Sequence, residues 1–487
     1  MAKPPVFEKK ALTPKSENIA EWYNDVVLRA GLADYAPVKG CMIIKPRGYA
    51  LWERVQSVLD SWFKADGVQN VYFPLFIPMH LLQKEKEHVA GFSPELAVVT
   101  HGGGEELAEP LAVRPTSETI MYATLADWIQ SYRDLPFKMN QWCNIVRWEK
   151  RTYPFLRTTE FLWQEGHTAH ADEADAMTMV LKALEWYRKF YETEFAISPY
   201  VGIKSNSEKF AGAARTYGVE LVLPDGKALQ AATSHYLGTG FAEAFGVHYQ
   251  DQEGAERPVH LTSWGLSTRA IGGLVLTHGD DAGLVLPPRA APMQVVVLAI
   301  GGKDESKQET ATAYARDVAA RLVGSGVRAD VDDDFGHSMG YRINEHELAG
   351  VPLRLEVGAR EAESKSVTWV RRDTMQKGTL DDADLIGGLE SLLSGMQSAM
   401  LEKAEKLKRD FTRDVSSWDE FTDIMANRRM FIRAPWCEDA GCEADIKEAT
   451  KATPRVLELD RIDEHIEARC VKCGKPAHRH WLFAQSY

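Results

Sequence analysis

The sequence contains no apolar run near the roughly 18 residues that a membrane-crossing helix requires; its best candidate, Val295 to Ile300, has the length of a buried strand. The opening MAKPPVFEKK has no apolar centre of the kind a secretory signal carries. Cysteine is scarce, six in 487 residues, which excludes a disulfide-built scaffold. These absences make the cytoplasm the expected compartment, with no membrane partner. Basic charge is short as well. With 57 Lys and Arg against 70 Asp and Glu, the formal net charge of −13 leaves only local basic surface for holding nucleic acid. Internal repeats and low-complexity tracts are also missing. What remains is an ordinary globular composition, 45% hydrophobic and 26% charged, in a chain long enough for about three domains.

Periodicity supplies the elements. Ser16 to Gly31 reads as a helix capped by Ser16, with Ile19, Trp22, Tyr23, Val26 and Val27 on one face and Gly31 at its end. A second helix carries Trp52, Val55, Val58, Leu59, Trp62 and Phe63 and stops at Gly67. The run Val71 to Ile77 is broken by Pro74 and so belongs to a sheet edge or an interface. From Leu111 to about Thr277, strand-like runs (Asn144 to Trp148, Phe161 to His167, Val219 to Leu223, His260 to Trp264) alternate with irregular loops, and a helix covers Leu181 to Phe195. This predicts a mostly antiparallel sheet flanked by helices. Leu286-Pro287-Pro288 marks a linker, after which strands and helices follow in β-α-β-α-β order to Val357, the pattern of an α/β domain. A charged helix from Glu390 to about Arg413 leads to a segment holding four of the six cysteines. The expected domains are 1–285, 290–395 and 400–487.

The densest chemistry lies in RWEKRTYPFLRTTEFLWQEGH, Arg147 to His167. A strand, a basic loop and a return strand would gather Arg147, Glu149, Glu165 and His167 on one sheet face. Such a set either neutralises itself or receives a polyanion. Cys437-x4-Cys442 and Cys470-x2-Cys473 form two close pairs, the spacing of a closed four-thiolate zinc site, with His478 and His480 as alternative ligands.

The Arg147 to His167 run resembles motif two of the class II aminoacyl-tRNA synthetases, with Arg147, Glu149 and Phe161 at its marked positions. Motif one would span the second helix and the strand near Pro74, a dimer interface in the family; motif three would be SWGLSTR, ending at Arg269. RPTSET, FLWQEGH, KFAGA and QAATSH resemble the signature runs of the prolyl branch, in its archaeal and eukaryotic form without an inserted editing domain. Threonine specificity and a non-catalytic paralogue are the alternatives.

The resemblance implies an α+β catalytic domain built on the class II antiparallel sheet, an α/β anticodon-binding domain and a small zinc-binding-type terminal domain. It implies a homodimer that activates L-proline with ATP and Mg²⁺ and transfers it to tRNA(Pro). Arg147, Glu149, Arg157, Thr158, Phe161, Gln230, Thr233, Ser267 and Arg269 would serve ATP. Thr116, Glu118, Arg147, Trp163, Glu165, His167, Phe210 and His235 would serve proline. Arg147, Glu149 and Arg269 are the expected catalytic set, Glu347 and Arg354 would read anticodon guanines, and the four cysteines would hold structural Zn²⁺.

Overall fold

A computed structural model describes residues 12–88 and 95–487, the side chains of 84–88 excepted. The chain gathers into two bodies. One comprises residues up to Asp34, Ile43–Arg54 and Leu274–Met400; the other comprises Tyr35–Met42, Val55–Gly273 and Leu401–Tyr487. Among the described residues no helix is long and apolar enough to cross a membrane.

The second body is built on an eleven-stranded sheet. Its strands are β1 (Gln69–Asn70), β2 (Phe137–Val146), β3 (Glu160–His170), β4 (Tyr200–Ile203), β5 (Arg215–Val222), β6 (Ala228–Gly238), β7 (His260–Ser267), β8 (Thr412–Asp414), β9 (Phe431–Trp436), β10 (Ala452–Glu458) and β11 (Arg479–Gln485). They lie in the order β8-β9-β11-β10-β4-β5-β6-β7-β3-β2-β1. All neighbours are antiparallel except the two edge pairs, β1 with β2 and β8 with β9. The expected mostly antiparallel sheet is present, and it runs on into the cysteine-bearing segment through β10, which pairs with β4.

Helix Glu173–Thr193 covers one face of this sheet. Its buried Ala176, Met179, Val180, Ala183, Leu184, Tyr187 and Tyr191 recur at the three- and four-residue spacing that a single helical stripe demands. Asp172 caps it by accepting from the Asp175 amide at 2.9 Å. Beneath the sheet, Phe63 stacks on Trp264 with ring centroids 5.4 Å apart. The Trp264 ring lies against bare Gly166, its partner across β3 and β7, where any side chain would overlap the indole.

In the first body, strand Val295–Ile300 runs parallel to both Ala329–Asp332 and Leu353–Gly358. Helix Glu305–Gly324 packs Ala311, Ala315, Ala319, Tyr314, Val318 and Leu322 into the same core. The expected β-α-β-α-β order is therefore met. An antiparallel hairpin, Ser366–Arg371 and Lys377–Asp381, extends the sheet and was not expected from the periodicity.

Two local readings need correction. The first helix runs Ile19–Arg29 and its cap is Asn18, whose side chain accepts from the Glu21 amide, not Ser16. The Pro14 carbonyl draws the Glu17 and Asn18 amides into a preceding turn, which moves the cap two residues on. Strand β2 ends at Val146, so Arg147 and Glu149 belong to the loop rather than to the sheet face.

Candidate active site

The floor of the main cavity is made of cross-strand rows. His167, Ser263, His235 and Thr216 form one row across β3, β7, β6 and β5; Glu165, Gly265, Thr233 and Gly218 form the next. Side chains two apart on a strand share a face, so alternation along β3 brings Trp163, Glu165 and His167 to the same side. Of the glycines in the second row, Gly265 leaves room beside Glu165 and Thr233, while the bare backbone of Gly218 is crossed by Lys204. The cavity, about 220 Å³, is lined by Thr116, Glu118, Arg147, Phe161, Trp163, Glu165, His167, Phe210, Gln230, Thr233, His235, Ser267 and Arg269, among others. Its enclosed part suits a compact ligand.

Glu118 opens helix Glu118–Trp128, a position favoured for an acid by the helix dipole. It accepts the Thr116 hydroxyl and is 4% exposed. The N-cap Ser117 makes no capping bond; its hydroxyl is turned to Glu165 instead. Glu165 is also bonded by Gln141 at 2.8 Å and His167 at 3.3 Å. Burial opposes its charge, but the bonds and charge of His167, with those of Ser117 and Gln141, hold its carboxyl below the usual range. His167 is fixed in turn by the Tyr122 hydroxyl at 3.0 Å.

His235 shares a hydrogen bond with Thr216 at 3.0 Å and packs against Phe210, ring centroids 4.8 Å apart. Burial first, then the neighbouring His167 and Lys204, pushes its pKa down to about 3, so it is neutral at physiological pH. Arg114 of RPTSET is fully buried and ties the loop after β1 to β2, donating to Phe73 O at 2.8 Å and Asn144 O at 2.8 Å. It fixes the backbone from which Thr116 and Glu118 project.

Arg147 is the junction of two cavities. Its Nε donates to Pro115 O at 3.0 Å, and its guanidinium lies 5.8 Å from the Phe161 ring and 5.5 Å from the Trp163 ring. On its other side a cavity of about 420 Å³ is lined by Arg147, Lys150, Arg151 and Arg157 together with Glu95, Trp148 and Glu149. Four cations against two carboxylates make this second space suited to a polyanion. Arg269 starts helix Arg269–His278, with its Nε on Leu156 O at 2.9 Å.

The structure thus gathers every expected proline residue and most of the expected ATP residues into one cavity. Glu149 and Arg157 line the second, paired at 2.7 Å. Thr158 lines neither; its hydroxyl donates to Glu160 O at 2.7 Å. Glu208 and Thr216 were not foreseen in the lining, and Ala231, Ala232, Ser263, Trp264, Gly265 and Leu266 lie within the runs QAATSH and SWGLSTR without having been named individually. The alternation of β6 and β7 opposite His235 and Glu165 was the signal that would have found several of them.

The terminal cysteines converge as well. The sulfurs of Cys437, Cys442, Cys470 and Cys473 all lie within 4.8 Å of one another, with Cys437 to Cys473 at 3.5 Å and Cys442 to Cys470 at 3.7 Å. A tetrahedral ion with about 2.3 Å bonds to sulfur needs sulfurs about 3.8 Å apart, so the set fits such an ion. Among the described residues no other group of His, Cys, Asp and Glu is placed to share a metal, and His478 and His480 stand outside this one. Cys143, by contrast, accepts from Trp163 Nε1 at 3.2 Å, and burial with the Glu165 charge pushes its thiol to about 12. In the α/β body, Glu347 and Arg354 pair at 2.9 Å, and Arg354 also holds Glu356 at 2.9 Å.

Comparison with known proteins agrees with this geometry. Residues 100–278 match the model of the tRNA synthetase class II core domain (G, H, P, S and T), residues 294–392 the anticodon binding domain, and residues 418–487 the prolyl-tRNA synthetase C-terminal domain. The chain is 48% identical to the proline–tRNA ligase of Lachnoclostridium phytofermentans, over 96% of each chain. It is likewise 48% identical to that of Haloarcula marismortui, over 97% of this chain and 98% of that one. A crystal structure of Cryptosporidium parvum prolyl-tRNA synthetase with L-proline and AMP superposes with a TM-score of 0.93 at 41% identity, covering 98% of this chain and 97% of that one. With a class II antiparallel sheet, a cavity walled by its signature residues and full-length relatives of one name, the chain belongs to the prolyl-tRNA synthetase family of class II aminoacyl-tRNA synthetases.

Proposed function

We propose that proline occupies the Glu118, Trp163 and His235 end of the main cavity and that ATP extends from Phe161 and Arg269 past Arg147 into the cationic second cavity. The chain is a proline–tRNA ligase: it activates proline with ATP and charges tRNA. The observation that carries the placement is Arg147, the one side chain among the described residues shared by both cavities. A planar guanidinium there can bond the proline carboxylate and the α-phosphate together, holding nucleophile and electrophile in line. Activation is an attack of that carboxylate on phosphorus, so it needs positioning and charge neutralisation and no protein base. Glu118, with the Thr116 hydroxyl, receives the cationic ring amine, and neutral His235 adds no competing charge. Trp163, Glu165, His167 and Phe210 wall the ring. Adenine lies between Phe161 and Arg269, while Glu149, Arg157, Thr158, Gln230, Thr233 and Ser267 complete the nucleotide site.

Mg²⁺ arrives with ATP and is held mainly by its phosphates, whose charge it offsets. The four terminal cysteines would hold a structural Zn²⁺, and with all four thiolates engaged the site would serve folding and not catalysis. Glu347 and Arg354 present a carboxylate and a guanidinium suited to guanine edges of the tRNA(Pro) anticodon. The domains divide at 1–285, 290–395 and 400–487. The chain works in the cytoplasm as a homodimer; the exposed Tyr72 and Phe76 flanking Pro74 supply apolar surface in the motif-one segment. The two subsites are tested by steady-state pyrophosphate exchange. Phe161→Ala is expected to raise the KM for ATP and Trp163→Ala that for proline; the reverse pattern overturns the placement.

A further inference from the structure

Residues 204–213 form the loop that walls the proline end of the cavity, contributing Glu208 and Phe210 to its lining. The cysteine-bearing terminal segment reaches this loop by two routes, through Glu220 to Lys204 and directly to Ser205.

The first is a buried charge triad. The Lys204 side chain crosses the bare backbone of Gly218, where an added Cβ would stand 2.7 Å from Lys204 Cε. Its ammonium bonds Glu220, and both side chains are 0% exposed. Arg455 of β10 takes the same carboxylate, with Nε on Oε2 at 3.1 Å and Nη2 on Oε2 at 3.0 Å. Glu220 is on the cavity face of β5, with Thr216 and Gly218 at the alternate positions before it and Gln230 as its partner on β6. Both cations take their hydrogen bonds from the one buried carboxylate, so its position fixes both side chains and loss of Arg455 frees Glu220 and Lys204 to shift.

The second is a hydrogen-bond chain. Glu443 follows Cys442 on helix Ala440–Thr450 and accepts the Ser205 hydroxyl at 3.2 Å, with both residues buried. Ser205 Oγ in turn accepts the Glu208 amide at 3.3 Å. A path of bonded atoms thus leads from the cysteine cluster to a residue of the cavity wall. Further along, the Phe210 amide donates to Thr216 Oγ1, which also bonds His235.

We infer that Arg455 and Glu443 are positioning residues through which the cysteine-bearing segment sets the wall of the proline subsite. The inference rests on the placement of proline given above. It follows that damage to the Glu443–Ser205–Glu208 path acts on amino-acid affinity before it acts on nucleotide affinity or on the chemical step, whereas loss of Arg455, whose partner Glu220 also faces Gln230 of the nucleotide site, acts on both affinities.

The test uses the full chain with Arg455→Met, Glu443→Leu and Ser205→Ala. The last removes one oxygen atom and keeps the question answerable if a larger change prevents folding. Pyrophosphate exchange gives KM for proline, KM for ATP and kcat, with active-site titration correcting for the folded fraction and equilibrium dialysis giving proline binding directly. The expected result for Glu443→Leu and Ser205→Ala is a KM for proline, and a matching dissociation constant, raised roughly tenfold, with kcat and the KM for ATP within about twofold, whereas Arg455→Met is expected to raise both KM values. Glu443→Gln, whose amide oxygen still accepts from Ser205, is expected to restore the parent value. A lowered active fraction with unchanged KM values, or equal rises for proline and ATP in Glu443→Leu and Ser205→Ala, overturns the inference. Trp163→Ala serves as reference. If it leaves the KM for proline unchanged, the placement of proline fails; if it raises that KM while the other variants do not, the positioning role alone fails.

Discussion

Replacing Glu118 by Gln separates the two things this carboxylate does. As the first residue of helix Glu118–Trp128 it favours the helix by its charge, an effect of about 0.3–1 kcal/mol, so the thermal midpoint should fall by no more than about 2–4 °C. Local structure should survive, because the amide oxygen still accepts the Thr116 hydroxyl. The amide nitrogen would then be turned toward the incoming ammonium, replacing attraction by repulsion in a position only 4% exposed. A hydrogen bond to a charged group contributes about 1.5–3 kcal/mol, which converts to a rise of roughly 10- to 150-fold in the KM for proline. Exchange assays at saturating ATP, with proline varied, read this directly. A KM for proline within twofold of the parent, in protein with the expected melting behaviour, would refute the assignment of Glu118 to the amine.

Other consequences are equally specific. His235 has a folded pKa of about 3 against about 6.5 unfolded, so the unfolded chain binds the extra proton between those values. Its contribution to stability is present above about pH 6.5 and is lost as pH falls toward 3, with a slope of at most about 1.4 kcal/mol per pH unit. His235→Gln should therefore flatten the acid limb of urea midpoints plotted against pH, and an unchanged limb contradicts the buried neutral state. Gly166→Ala places a methyl in the Trp264 ring and should cost about 1–3 kcal/mol or more in urea unfolding; a neutral result would mean that the ring is free to move. Arg354→Ala should weaken charging of tRNA while leaving adenylate formation intact, and equal loss in both assays rules out an anticodon role. Cys473→Ser should lower bound zinc, measured by elemental analysis, and expose the terminal segment to protease; full retention of zinc argues against a four-thiolate site.

Much of this was readable in the sequence because its signals are local. Alternation along Trp163, Glu165 and His167 gave the face of β3, and Val295 to Ile300 was an unbroken apolar run with room for one reading. The paired cysteine spacing likewise gave a cluster across some thirty residues of intervening chain. What escaped depends on contacts that no local pattern encodes. Thr216 enters the site because β5 and β6 align it with His235, and Ser263, inside SWGLSTR, because β7 lies in register with the distant β3, neither of which alternation within one strand specifies. The reach of β2 was misjudged because Arg147 still donates its amide to Thr159 O at 2.8 Å, continuing the hairpin after the strand has ended. The triad of Lys204, Glu220 and Arg455 joins residues 16 and 235 positions apart and has no sequence signature at all.

The most direct test of the central claim is ATP–pyrophosphate exchange by the purified full chain with Mg²⁺, run against each standard amino acid. Exchange led by proline, with weaker signals from small amino acids such as alanine that a ring-sized pocket cannot strongly reject, is the predicted result. Exchange led by another amino acid would contradict the assignment of the pocket, and none in folded protein would contradict the activity itself.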